Sequence, residues 1–172
     1  MRRKIAIAIL LIVCFILQTT VFKVLAVAGI SPNLLIIVTA AFGFMRGRKE
    51  GMFVGFFAGL LIDLFYGTYI GFYALIYMYI GYLNGFFNKI FYPEDVKLPM
   101  LLISLSDVFC NLVVFVLFFV MRGRFDLPFY FVHIMVPELI YTILVTIVLY
   151  FIILRINKHL EKLEKRSAAK FV

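Results

Sequence analysis

Residues 51–63 read Gly51-Met52-Phe53-Val54-Gly55-Phe56-Phe57-Ala58-Gly59-Leu60-Leu61-Ile62-Asp63. Apart from Asp63 the stretch is apolar, and glycine returns at every fourth position. Residues four apart share one face of a helix. Gly51, Gly55 and Gly59 therefore form a strip without side chains. Such a strip lets a second backbone approach closely, which is how helices pack inside membranes. The spacing extends both ways: Gly43 and Gly47 precede it, Asp63 takes the next slot, and Gly67 and Gly71 follow. The stretch reads as a spanning helix from Gly51 to Tyr66, with a helix-packing or partner face of Gly51, Gly55, Gly59 and Asp63. Gly81-x-x-x-Gly85 offers a shorter strip of the same kind.

The rest of the chain agrees with a membrane reading. It has 172 residues, of which 65% are hydrophobic and 15% charged. Soluble domains are about 45–50% apolar and about 25% charged, and a chain this short buries only about 70% of its surface. A soluble domain and a disordered chain are both excluded. Six apolar runs appear: Ile5 to Phe22, the run after Ser31-Pro32-Asn33 to Met45, Gly51 to Tyr66, Tyr69 to Asn88, Pro99 to Met121, and Pro128 to Leu154. All are too long for most strands and are predicted as helices. The fold class is an all-α polytopic membrane protein, with one six-helix domain over residues 1–154 and a basic tail over 155–172. The second run has only 12 residues, about 18 Å of helix against a hydrocarbon core of about 30 Å. It must thin the bilayer, borrow residues before Pro32, or stop short. The first run follows Arg2-Arg3-Lys4 and precedes Ala26-Val27-Ala28, as in a signal peptide. It is long for that, and the chain behind it is itself polytopic, so it reads as a span. In the tail, Ile156, Leu160 and Leu163 share a helix face and Glu161–Lys165 are an i,i+4 pair, so it reads as a helix leaving the membrane.

Charge sets the expected orientation. With six alternating spans, 14 of the 17 Lys and Arg fall on the side of both termini, and only Lys23, Arg122 and Arg124 fall opposite. Cytoplasmic loops collect basic residues, so both ends are expected inside. The net charge of +8 then reports topology, not a nucleic-acid partner. Tyr66, Tyr69, Tyr92 and Tyr130 fall at expected span ends and read as interface anchors. Cys14 and Cys110 lie within apolar runs and read as small core residues.

Against this background the polar residues stand out. Asp63, Asp107 and Glu138 lie inside spans, where an ionised carboxylate costs about 2.5–3.5 kcal/mol. No Lys or Arg lies within the third to sixth spans, and His133 is the one histidine there. The acids therefore need protons, hydrogen bonds, an interface, or a basic group on another protein. Asp63 lies about 18 Å along its helix from Gly51 and is expected to be the best hydrated. Ser104, Asp107 and Asn111 form a stripe expected to face the bundle interior. Pro137 deprives the His133 carbonyl of its donor, and the resulting kink is expected to gather His133 and Glu138 into a polar site. Gln18 and Asn33 add polar groups at span ends. No HExxH, GxSxG, Walker A or CxxC motif occurs. Asp63 and Asp107 lack the motifs of an intramembrane aspartyl protease. Neither enzymatic activity, cofactor nor metal is expected.

A resemblance then joins these features. Gln18-Thr19-Thr20 closes the first run, Pro32-Asn33-Leu34-Leu35 opens the second, and Arg46-Gly47 follows it. Next come Gly51 through Leu64, and then Gly71-Phe72-Tyr73-Ala74-Leu75. This pattern, from Gln18 to about Gly85, resembles the MreD family of bacterial rod shape-determining membrane proteins. The resemblance implies a noncatalytic scaffold in the cytoplasmic membrane, acting in the cell-elongation machinery. It implies a single-span MreC-like partner, with MreB filaments, RodA and a class B penicillin-binding transpeptidase nearby. It also implies a fold similar to the six-helix substrate-binding subunits of energy-coupling-factor transporters. Asn33 departs from the acid that many relatives carry there. Two other readings compete. A vitamin-binding importer subunit usually offers Ala-x-x-x-Ala on its first span, and no two alanines here are four apart. A proton-coupled carrier would use the three acids, but no mirrored halves are visible.

Overall fold

The Pro32-Asn33 break works as a helix start. The Asn33 side chain accepts the Ile36 N–H at 3.3 Å, and Gln18 Oε1 accepts the Leu35 N–H at 3.3 Å. Two donors of the first turn are thus satisfied by side chains. The helix that follows, α3 (Leu34–Arg46), is buried continuously from Leu34 to Met45. It packs against the helices before and after it on nearly every side. That explains its length: sheathed in protein, a helix of about 20 Å need not meet the lipid at both ends.

The structure, a computed structural model, describes residues 2–26, 30–67, 69–90, 92, 96–118 and 127–168. Its other elements are α1 (Arg2–Thr19), α2 (Val21–Val24), α4 (Arg48–Tyr66), α5 (Phe72–Asn84), α6 (Lys97–Phe118), α7 (Leu127–Tyr130) and α8 (Val136–Ala168). A 3-10 segment, Gly85–Ile90, extends α5, and a π turn, Phe131–Met135, joins α7 to α8. No strand element occurs among the described residues. The result is six helical rods, one for each apolar run. Val27 and Ala28, Pro93 to Asp95, Met121 to Asp126 and the last residues of the tail lie outside the described residues.

Three stretches, Arg3–Val24, Lys97–Leu117 and Phe131–Glu161, are each long and apolar enough to cross a bilayer. Large apolar side chains face outward along them and along α4: Ile5, Ile9 and Ile16, Phe53 and Phe57, Leu144 and Val148. Soluble monomers do not expose so much contiguous apolar surface, so the chain is a membrane protein.

Cross-links at the two ends show how the rods run. At one end, Arg3 pairs with Glu50, Asn88 donates to the Phe44 carbonyl at 3.0 Å, and Arg46 Nε donates to Asn157 at 2.5 Å. The starts of α1 and α4, the ends of α3 and α5, and the later part of α8 therefore lie together. At the other end, Asn33, Asp63 and the start of α5 gather.

The fourth run departs from expectation. Its helix starts at Phe72, not Tyr69, because Gly71 takes a left-handed backbone (φ 99°) just before it, a conformation glycine adopts freely. Near Pro137, the Val136 N–H bonds to the Phe131 carbonyl, five residues back. The expected disturbance is thus a π turn, a wide turn of the kind often found within helices.

Candidate functional site

The glycine face of α4 is occupied by α5. A Cβ added at Gly51 would lie within 3.0 Å of the Gly81 backbone, at Gly55 within 3.0 Å of Tyr77, and at Gly59 within 3.0 Å of Tyr73 and Ala74. At Gly85 it would meet Arg48 in the same way. The two helices run antiparallel with backbone against backbone, in the close packing that small residues permit. Phe53 and Phe57, on the other side of α4, are turned outward.

Asp63 closes this hairpin. It was expected to be hydrated, but it is only 2% exposed. Its carboxylate accepts the N–H groups of Gly71 at 3.0 Å, Tyr73 at 2.9 Å and Ala74 at 2.9 Å. These are first-turn donors of α5, with no partner inside the helix. The positive end of the helix dipole adds to the attraction. The acid is thus balanced by backbone amides.

A second polar group lies between α3, α5, α6 and α8. Asn33 Oδ1 accepts the Tyr77 hydroxyl at 2.8 Å, and the Asn33 N–H donates to Thr142 Oγ1 at 3.2 Å. Thr142 lies beside Asp107, which is completely buried. Asn111 donates to the Asp107 carbonyl at 3.2 Å and accepts the Tyr130 hydroxyl at 3.4 Å. Glu138, partly buried, has Asp107 and Asn111 as neighbours. Asp107 and Asn111, one turn apart on α6, thus lie near Glu138 and Thr142 of α8, and Thr142 links them to Asn33.

His133 does not join them. It is exposed, stacks on Phe129 with ring centroids 4.3 Å apart, and its Nδ1 lies 3.1 Å from the Phe129 carbonyl. Its polar needs are met one turn back, away from Glu138. Ser104 bonds the Met100 carbonyl at 2.8 Å, whereas buried Ser106 reaches Asn84 at 2.8 Å. Tyr130, expected at the interface, is buried against Phe115.

Tyr77 and Thr142 were not singled out from the sequence, and Tyr130 only as an interface anchor, yet the three knit the group together. The signal for Thr142 was spacing, since Glu138, Thr142 and Thr146 share one face of α8. Tyr77 carried none beyond its hydroxyl within an apolar run.

Two concavities adjoin these features. A cavity of about 300 Å³ is lined by Gln18, Lys23, Asn33, Tyr66, Tyr73 and Tyr77, among others. An apolar groove of about 760 Å³ runs between α1 and α4, past Ile7, Leu11, Phe53, Phe57 and Leu60, with Lys4 and Lys49 also lining it. Among the described residues, no three His, Cys, Asp or Glu side chains are grouped as a metal site requires.

In comparisons with known proteins, the family model for the rod shape-determining protein MreD matches residues 1–159, nearly the whole chain. Searches of curated proteins and of solved structures give no match.

Proposed function

The chain belongs to the MreD family of rod shape-determining membrane proteins, and we propose that it is a noncatalytic scaffold which binds a single-span MreC-like protein in the bacterial cytoplasmic membrane. It acts there beside MreB, RodA and a class B penicillin-binding transpeptidase in the elongation complex. Six spans place both termini in the cytoplasm, as the 14-to-3 division of basic residues suggests. Residues 1–154 form the membrane domain, with an architecture like that of the energy-coupling-factor subunits, and residues 155–172 form the cytoplasmic tail.

The observation that carries this reading is the groove between α1 and α4. The glycine strip packs on α5, so it holds α4 in place and leaves Phe53 and Phe57 facing outward. Gly51, Gly55, Gly59 and Asp63 thus serve the partner site by fixing its wall. From Lys49 to Leu64 the groove follows α4 for about 22 Å, more than half of the ~30 Å hydrocarbon core. A partner's transmembrane helix matches that length.

Coexpression with the MreC-like protein, followed by purification in mild detergent, tests the proposal. The pair copurifies, and combined Phe53→Ala and Phe57→Ala changes reduce recovery of the partner while the protein stays folded. Full recovery with the double variant would remove the groove from the interface.

A further inference from the structure

The polar group between α3, α5, α6 and α8 is closed except at one residue. Asn33, Asn111 and Thr142 all have hydrogen-bond partners. Asp107 is 0% exposed, and neither of its carboxylate oxygens makes a hydrogen bond of good geometry, although the Thr142 hydroxyl stands close to it. Glu138, a second carboxylate, lies on α8 close enough to act on Asp107 electrostatically. No Lys or Arg occurs within the apolar part of the surrounding helices. The other ionisable groups around the pair are Tyr77 from α5, Cys110 from α6 and Tyr130 from α7, with Tyr73 and its neighbour Asp63 further along. All are neutral or negative. Asp63 is already matched by three amides.

A carboxylate removed from water needs a proton, hydrogen-bond donors or a compensating positive charge, and among the described residues no Lys or Arg is placed beside this pair. The available ligand atoms are carboxylate, amide and hydroxyl oxygens, a set suited to hard cations. Asp107 is too enclosed for an organic ligand. The cavity of about 300 Å³ reaches Asn33 and Tyr77, and Tyr77 in turn neighbours Asp107. Polar side chains thus lead from this cavity, which Lys23 also lines, through Asn33 to Thr142 beside the pair.

We propose that Asp107 and Glu138, with Asn111 and Thr142, form a binding site for a small monovalent cation, sodium or a proton. Occupancy neutralises the centre of the bundle and couples the packing of α6 against α8 to ionic conditions. The site is separate from the α1–α4 groove and does not depend on its role.

Thermal unfolding of the detergent-purified protein, followed by circular dichroism, tests this. Sodium chloride is compared with choline chloride at equal ionic strength, over a range of pH. A ligand bound by the folded state alone raises the melting temperature. If sodium is the occupant, the melting temperature rises with sodium concentration and saturates, and Asp107→Asn loses the response. If a proton is the occupant, sodium has no effect, the wild type melts higher at low pH, and Asp107→Asn and Glu138→Gln flatten that dependence. Thr142→Val, which keeps the side-chain volume, weakens the same response should the other variants not fold. Equal melting in both salts, together with a pH dependence unchanged in every folded variant, would overturn the proposal.

Discussion

Replacing Asp63 tests the α4–α5 hairpin at its most specific contact. Oδ2 accepts two amides, from Gly71 and Ala74, and Oδ1 accepts one, from Tyr73. Asp63→Asn keeps the shape, but it must place an NH2 group against at least one of these N–H donors. It also removes the charge from bonds that are about twice as strong as neutral ones. The expected loss is about 1–3 kcal/mol, the cost of leaving one buried donor unsatisfied. Asp63→Ala leaves all three donors without their acceptor, so the loss should be about 3 kcal/mol or more on the same scale. The order of stability is then wild type, Asn, Ala. Equilibrium unfolding of the detergent-purified protein in increasing SDS, followed by circular dichroism, measures it. If Asp63→Asn is as stable as wild type within about 0.5 kcal/mol, a range typical of inert surface changes, the carboxylate does not hold α5.

Other substitutions follow from the same contacts. Gly55→Leu drives α5 away from α4 and costs more than the ~1–3 kcal/mol of ordinary overpacking, because the obstacle is the Tyr77 backbone; the same unfolding measurement reads it. Gly71→Ala meets no atom within 4 Å, so its loss should be only the ~1–2 kcal/mol of a left-handed backbone. Tyr77→Phe removes the bond to Asn33 and should lower stability by about 1 kcal/mol. His133→Phe, at an exposed position stacked on Phe129, should stay within about 0.5 kcal/mol of wild type; a large loss would mean that His133 belongs to the polar group after all.

Hydropathy made the six rods legible, and Pro32-Asn33 marked the start of α3 because capping is a local signal. It did not reveal that α3 is the hub. An apolar side chain reads the same whether it faces lipid or protein, so a short span looked like a problem of bilayer thickness. The glycine strip announced a close approach but not its partner, since spacing carries no address. Asp63 was misjudged as hydrated because its amide partners belong to the next helix, beyond a turn whose path the sequence does not specify. Asp107, Asn111 and Glu138 were visible as polar residues in apolar runs. That they meet Asn33 and Thr142 depends on how four helices are rotated, which no single run encodes. His133 went the other way because Phe129, one turn earlier, meets its needs locally.

If the groove between α1 and α4 receives the partner's transmembrane helix, as proposed, side chains within it lie against that helix. A photo-crosslinking amino acid placed at Phe57, inside the groove, tests it in cells that express the MreC-like protein. The control position is Val148, exposed on α8 and not among the groove residues. A crosslink to the MreC-like protein is expected from position 57 and none from position 148. A crosslink from 148 with none from 57 would place the partner on another face and contradict it.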